Sequence, residues 1–163
     1  MIVDLVDGTY ELFRHYYGLQ RRGTRAGSEA AATRGVLATV VGMLEAGATH
    51  LGVATDHVIE SFRNGLWPGY KTAAGVPEGL LAQFSILERS LEALGVTVWA
   101  MADLEADDAL ASAAAVASAD VRVQQVRIWT PDKDLAQCVR GVRVVQVDRR
   151  KRTVTDEDGV RAK

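Results

Sequence analysis

The sequence predicts an α/β sandwich, in which a mainly parallel sheet lies between layers of helices. Four short apolar runs, partly β-branched, alternate with longer segments of helical periodicity. That alternation is typical of parallel strands joined by crossover helices. The length of 163 residues suits one domain, and 48% hydrophobic and 25% charged residues are typical of a folded globular protein. We therefore expect a single three-layer domain.

The predicted elements follow one another with short connections. Residues 1–6 form a strand closed by Gly8, Thr9 caps a helix over 10–17, residues 18–27 form an exposed loop, and Ser28 caps a helix to residue 46. A second strand covers 50–55, a polar, glycine-containing segment covers 56–76, and Pro77 is the first residue of a helix to 94. Then come a strand at 96–100, a helix at 104–119, a strand at 126–130, a short helix at 132–139, and a hairpin of 142–147 and 153–154 around a turn at 149–152.

Charge and cysteine content limit the function classes. Nineteen basic and 21 acidic residues give a net charge of -2, which argues against a protein covered in positive charge but allows a local basic track. The single cysteine, Cys138, is predicted to be a small core residue. Asp4 and Asp7 interrupt the first apolar run and no run of 18 apolar residues occurs, so we expect a cytoplasmic protein.

Acidic residues follow all four predicted strands. Because the carboxyl ends of parallel strands lie along one edge of a sheet, these side chains should meet in one crevice. So many carboxylates repel one another unless a cation compensates, and Lys133 alone is not enough. Oxygen ligands favour hard divalent ions such as Mg²⁺ or Mn²⁺. The acids are Asp7, Asp56, Glu105, Asp107, Asp108, Asp132 and Asp134.

Each acid also has a purely structural interpretation. An Asp or Glu after a strand often caps the next helix, and Asp7 followed by Gly8 could form a simple turn. Capping would have to explain all four strand ends together, and Glu105 and Asp108 share a helical face that capping alone does not need. We therefore interpret the cluster as the functional site. Asp4 should point to the opposite face from Asp7, without a predicted role, and the three histidines share no ligand spacing, so zinc is not expected.

Five short motifs occur in a set order along the chain. They are Val6-Asp7-Gly8, Ser61-Phe62-Arg63, Tyr70-Lys71, Glu105-Ala106-Asp107-Asp108 and Asp132-Lys133-Asp134-Leu135. Singly they are weak, but their order and spacing resemble the 5′-nuclease family, which includes the 5′–3′ exonuclease domain of bacterial DNA polymerase I and the stand-alone flap endonucleases. The resemblance covers residues 2–160 and implies a PIN/resolvase-like fold.

The resemblance also implies an activity. It implies a metal-dependent, structure-specific 5′–3′ nuclease domain that hydrolyses DNA phosphodiesters at 5′ ends or flaps with two Mg²⁺ or Mn²⁺ ions. The implied ligands are Asp7, Asp56, Glu105, Asp107 and Asp108 for the first ion, and Asp132 and Asp134 for the second. Arg63 and Lys71 match catalytic cations that hold the scissile phosphate.

Further expectations concern the substrate and its surroundings. Tyr70 could stack on a base or pack against a mobile arch implied at residues 65–83. DNA with a 5′ end, flap or nick is the implied partner, a DNA polymerase is an expected cellular partner, and a monomer is expected. The family carries another basic residue where this chain has Ala74, which implies a weaker hold on the phosphate. The family also continues into a helix–turn–helix element that binds duplex DNA, and these 163 residues do not contain it.

Two other functions are compatible with parts of the sequence. One is a DNA-end or flap-binding module that has lost turnover. The other is a haloacid-dehalogenase-like phosphatase, whose Asp-x-Asp-Gly-Thr signature is approached by Asp4 to Thr9. Its nucleophile should stand two residues before Asp7, where this chain has Leu5, and Asp4 is one position away on the other face.

Overall fold

The computed structural model describes residues 1–21, 23 and 30–162. Its strands are β1 (Ile2–Asp7), β2 (Leu51–Asp56), β3 (Thr97–Met101), β4 (Gln125–Trp129), β5 (Val144–Asp148) and β6 (Thr153–Thr155). They form one sheet in the order β3-β2-β1-β4-β5-β6. All neighbours pair in parallel except β5 and β6, which form the predicted terminal hairpin. The carboxyl ends of β1 to β5 therefore lie along one edge.

The helices connect these strands. They are α1 (Gly8–Arg21), α2 (Ala31–Glu45), α3 (Arg63–Leu66), α4 (Glu78–Ala93), α5 (Ala106–Ala119) and α6 (Glu157–Arg161), with a 3₁₀ helix at Lys133–Cys138. None of the helices in the described residues is both long and apolar enough to cross a membrane.

Two hydrophobic clusters cover the two faces of the sheet. Val6 on β1 packs with the apolar faces of α1, α2 and α4, whereas its neighbour Leu5 packs with α5 on the opposite face. This alternation follows from the pleat, which turns successive side chains to opposite faces. Both residues are 0 to 1% exposed, so β1 is buried on both sides as a central parallel strand requires. The predicted three-layer sandwich is confirmed.

Several predicted boundaries need correction. The exposed loop predicted from residue 18 is wrong for residues 18–21, because α1 continues to Arg21 and Leu19 packs against the first cluster. Ser28 and most of that loop lie outside the described residues. Pro77 is the N-cap of α4 rather than its first helical residue, and α5 begins at Ala106 rather than at residue 104. The polar segment after β2 contains the short helix α3.

Gly8 brings β1, α1 and β2 close together at the edge where the acids lie. A β-carbon at this position would be 2.7 Å from a methyl carbon of Val53 and 2.9 Å from the carbonyl oxygen of Ala54. Such distances are shorter than carbon and oxygen atoms tolerate, so a glycine is needed for this close approach. Its neighbour Asp7 is thereby held at the end of β1, directly beside β2.

Candidate functional site

Five of the predicted acids line one cavity at the carboxyl edge of the sheet. The cavity has a volume of about 380 Å³ and opens between α1, α5 and the segment that follows β2. Burial is extensive, since Asp7, Asp56 and Glu105 are each less than one-tenth exposed. The acids that line it are Asp7, Asp56, Glu105, Asp107 and Asp132. The predicted convergence of the strand-end acids is therefore present for these five.

Asp7 ends β1 and caps α1. Its carboxylate accepts a hydrogen bond from the Tyr10 backbone N–H at 2.8 Å and another from the Thr130 hydroxyl at 2.9 Å. The capping role predicted for Thr9 is thus wrong, because the Thr9 hydroxyl accepts the Asp56 N–H at 2.7 Å instead. Burial raises the pKa of Asp7 to about 7 despite its two hydrogen bonds, with smaller contributions from Asp107 and Asp56.

Asp56 ends β2 and links three parts of the site. One carboxylate oxygen accepts the Ala106 N–H at 2.8 Å, at the start of α5, and the other accepts from the Lys71 ammonium at 2.7 Å. The Lys71 ammonium is also 3.9 Å from Glu105 Oε2. Burial by itself lowers the Lys71 pKa, but the hydrogen bond that Lys71 donates to Asp56 and the charges of the surrounding carboxylates raise it above its ordinary value. Lys71 is therefore a charged ammonium between two acids.

Glu105 and Asp108 form a capping box around the first turn of α5. The Arg63 guanidinium spans both, with hydrogen bonds of 2.8 and 2.7 Å to the two oxygens of Asp108 and 3.1 Å to Glu105 Oε1. The Ser61 hydroxyl donates to the same Glu105 oxygen at 2.6 Å. Hydrogen bonding from Arg63 lowers the pKa of Asp108. The start of α5 is thereby joined to the segment after β2.

Asp107 faces the other carboxylates from the first turn of α5. Burial raises its pKa to about 6, and the charges of Asp132 and Asp56 add to this. Asp132 in turn caps the 3₁₀ helix by accepting the Asp134 N–H at 2.9 Å. After burial, the like charges of Asp132 and Asp56 are thus the next causes of the raised pKa of Asp107.

Asp108 and Asp134 line a second, adjoining cavity. It has a volume of about 730 Å³, runs along α5 and is also lined by Lys133 and Arg140. Glu105 and Asp107 border both cavities. The two cavities therefore meet at the start of α5.

The segment after β2 supplies counter-charge that sequence analysis missed. The residue pattern alone places only Lys133 beside the acids, and the family resemblance assigns Arg63 and Lys71 to the phosphate of the substrate. In the structure, Lys71 and Arg63 form ion pairs with the acids themselves. Within this segment the Asn64 side chain donates to the Lys71 carbonyl at 2.5 Å, and Glu60 accepts the Ala73 N–H at 2.8 Å. These contacts bring both cations to the acids, although the segment has no regular periodicity.

The donor chemistry suits a divalent ion, but the present spacing does not preform a site. Over residues 1–21, 23 and 30–162, no three Asp, Glu, His or Cys side chains are grouped closely enough to hold one ion. Within this cluster Lys71 and Arg63 instead pair with Asp56, Glu105 and Asp108. A carboxylate oxygen has a second lone pair, so the hydrogen bonds within the cluster do not prevent coordination. The positive charge of Lys71 beside Asp56, by contrast, opposes the entry of a cation.

An apolar rim borders the site and was predicted only in part. Tyr70 is 48% exposed and lines the second cavity. Leu66 and Trp67, from the same short segment, are 79% and 72% exposed. By contrast, the last part of the arch predicted at 65–83 is the start of α4, where Leu80 and Gln83 are buried.

Other supporting residues had no predicted role. Thr130 and Ser61 donate hydrogen bonds to acids of the site. For Thr130, the only sequence signal of this role is that a hydroxyl residue directly follows a strand. Asp4 is buried and accepts a hydrogen bond from the Trp129 indole at 2.7 Å, so it supports the packing of β1 against β4. Cys138 is half-buried against the second hydrophobic cluster.

Comparisons with known proteins agree with this fold. Residues 3–163 match the family model of the 5′–3′ exonuclease N-terminal, resolvase-like domain. The DNA polymerase I of Mycobacterium leprae is 34% identical over 139 residues, which are 83% of this chain and 15% of that polymerase. The chain thus spans about one-sixth of that curated relative.

Two solved structures from bacteriophage T5 share the fold. The 5′-exonuclease with bound divalent zinc ions superposes with a TM-score of 0.60 and 17% identity, over 96% of this chain and 58% of that one. The D15 flap endonuclease in a pseudo-enzyme-product complex with DNA and metal ions gives a TM-score of 0.61, with the same identity and coverage.

Proposed function

The chain belongs to the family of 5′–3′ exonuclease N-terminal, resolvase-like domains, and from that membership we propose that it is a metal-dependent nuclease domain. Its proposed reaction is hydrolysis of DNA phosphodiesters at 5′ ends or flaps with two divalent ions, Mg²⁺ or Mn²⁺. The D15 flap endonuclease, with DNA and metal ions in its complex, supports this choice of substrate and cofactor.

One observation carries the proposal. Five carboxylates line a single cavity of about 380 Å³, and Lys71 occupies the position between two of them. Burying several like charges together is unfavourable unless cations compensate. The fold keeps the arrangement nevertheless, as expected for a site that binds hard cations.

The proposed ligands follow the sequence assignment. Asp7, Asp56, Glu105, Asp107 and Asp108 would hold the first ion, and Asp132 and Asp134 the second. Bound divalent ions supply an activated water and neutralise charge on the phosphate. Asp7, held by the Tyr10 N–H and the Thr130 hydroxyl, keeps its place without the ion, which reduces the reorganisation that binding requires.

Lys71 and Arg63 have proposed roles toward the substrate. Both pair with acids of the site in this structure. With Asp56 engaged as a ligand, the Lys71 ammonium, which lines the same cavity, would be available to bind a phosphate oxygen. A cation there stabilises charge that develops on the transferring phosphoryl group. Arg63, exposed to the adjoining cavity, would bind a neighbouring phosphate in the same way.

The phosphatase alternative lacks its nucleophile. That reaction needs a carboxylate two residues before Asp7, and Leu5 at this position is 1% exposed within the second hydrophobic cluster. A binding module without turnover shares the proposed DNA site, and an activity measurement separates it from a nuclease.

The test is cleavage of a 5′-flap DNA with Mg²⁺, Mn²⁺ or a chelator. We expect cleavage with either metal and none with chelator. Asp107→Asn should reduce the rate at least a hundredfold, because Asp107 borders both cavities and one electrostatic group at a reacting centre contributes on the order of 10² to 10³. Asp158→Asn, the same change at an exposed site on α6, is the matched control. Metal-dependent DNA binding without cleavage would instead support the binding module.

A further inference from the structure

The turn between β5 and β6 carries the highest density of positive charge in the chain. Arg149, Arg150, Lys151 and Arg152 are consecutive, and the last three are exposed. The whole chain has a net charge of -2. The turn therefore stands out as a local basic surface on a protein that is slightly acidic elsewhere.

The basic turn lies on the same edge of the sheet as the acid cluster. β5 runs parallel to β4 and ends at Asp148, so the turn follows the carboxyl end of β5. In the sheet only β4 separates β5 from β1, which ends at Asp7. The basic turn is therefore two strands from Asp7, at the same edge of the sheet as the acidic cavity.

Most of the charges on the turn have no acidic partner. Within the part of the chain that the structure describes, no ion pair shorter than 4.0 Å is recorded for Arg149, Arg150 or Arg152, and Lys151 reaches Asp148 only at 3.9 Å. The Arg149 guanidinium instead lies over the Trp129 ring at 5.3 Å from its centre. Unpaired, solvated cations bind an anion without first breaking another ion pair.

The turn has a fixed backbone. One Asp148 carboxylate oxygen accepts the N–H groups of Arg150 at 2.9 Å and Lys151 at 3.0 Å. Arg152 adopts the left-handed conformation, with φ of 55°, which turns the chain into β6. These contacts fix the backbone that carries the cations, and the Trp129 contact also positions Arg149, so less entropy is lost on binding.

We propose that the basic turn binds the phosphodiester backbone of the nucleic acid whose end enters the acidic cavity, at phosphates that are not cleaved. The inference rests on the proposed nuclease function. The physical reason is electrostatic, because an edge lined by carboxylates repels a polyanion and the basic turn offsets this repulsion at the same edge of the sheet. Contacts of this kind position a nucleic acid without reading its sequence.

The test compares two double substitutions with equal change in charge. Arg150→Gln/Arg152→Gln removes two charges from the turn. Arg122→Gln/Arg161→Gln removes two exposed charges elsewhere, each from an exposed ion pair of little energetic value. Arg122 lies in the turn that precedes β4, at the opposite edge of the sheet. Binding of a 5′-flap DNA, a duplex and a single strand is measured in chelator between 50 and 200 mM salt, and flap cleavage is measured with Mg²⁺.

The turn variant should bind more weakly, with a shallower dependence of log affinity on log salt. The slope should fall by about 1.8 if both arginines contact duplex phosphates and by about 1.4 if they contact a single strand. In cleavage, KM should rise while kcat stays unchanged. The control should match the unsubstituted chain. Equal binding by the two variants would overturn this inference alone, and absence of both DNA binding and cleavage would overturn the nuclease proposal with it.

Discussion

Three acids of the candidate site have structural roles beside their proposed function. Asp7 caps α1, Glu105 caps α5 and Asp132 caps the 3₁₀ helix, so the capping interpretation is right for these three residues. The same hydrogen bonds fix where each carboxylate points. Because each oxygen keeps a second lone pair, capping prepares the ligands rather than competing with an ion. The competing groups are the side-chain cations.

Lys71 gives the first prediction. Replacing it with Gln should tighten Mn²⁺ binding by roughly tenfold, about 1.4 kcal/mol, because its ammonium hydrogen-bonds Asp56 at 2.7 Å and its positive charge opposes the entry of a cation. Calorimetric titration of Mn²⁺ into the chain measures this without reference to activity. Lys133→Gln removes the same charge from the border of the adjoining cavity and should change the affinity much less. Equal effects of the two substitutions would show that only net charge matters.

The start of α2 depends on a distant helix. Ala30, which precedes α2, has a left-handed backbone with φ of 62° and offers no side-chain cap. The N–H groups of Ala32 and Thr33 are instead accepted by the Gln83 side chain, at 3.0 and 3.1 Å. Gln83 is 2% exposed and belongs to α4. One buried amide therefore supplies the N-terminal cap of another helix.

The second prediction tests this contact. Gln83→Met should lower the free energy of unfolding by about 1 to 3 kcal/mol, because two backbone donors lose their acceptor in a buried place. Gln83→Glu keeps the acceptor and should cost less, since a negative charge suits a helix N-terminus. Ser85→Ala, at an exposed position of the same helix, is the control. Urea unfolding measures all three variants. An unchanged free energy of unfolding for Gln83→Met would mean that the start of α2 contributes little to stability.

The secondary-structure elements and the convergence of the acids could be predicted from the sequence, whereas the side-chain contacts between distant elements could not. Each central strand appears within about a residue of its predicted place, because a short apolar run such as that before Asp7 can only be a buried strand here. The convergence of Asp7 and Asp56 follows from parallel topology alone. The positions of Lys71 and Gln83 do not, since each depends on a partner far along the chain. Periodicity carries no signal for such contacts.

Keeping these acids buried together lowers the stability of the whole domain at neutral pH. In the unfolded chain Asp7 and Asp107 have an ordinary pKa near 3.8, whereas in the folded chain these pKa values are about 7 and 6. The folded state thus binds more protons between these values, and stability falls as pH rises. His15 acts in the opposite direction below pH 6.5, because burial lowers its pKa. A comparison of two variants at each pH removes that contribution.

The third prediction is therefore a difference between chains in chelator. Asp107→Asn should be as stable as the unsubstituted chain near pH 4 and more stable above pH 6, by on the order of 1 to 2 kcal/mol after allowance for its partial exposure to solvent. Thermal melting should show this as a gain of about 2 to 8 °C, and Asp158→Asn should show none. With Mn²⁺ in excess the order should reverse, because the ion stabilises only the chain that retains its ligand. If Asp107→Asn melted lower in chelator at pH 7.5, the carboxylate would be supporting the fold, and the argument from buried repulsion to a cation site would fail.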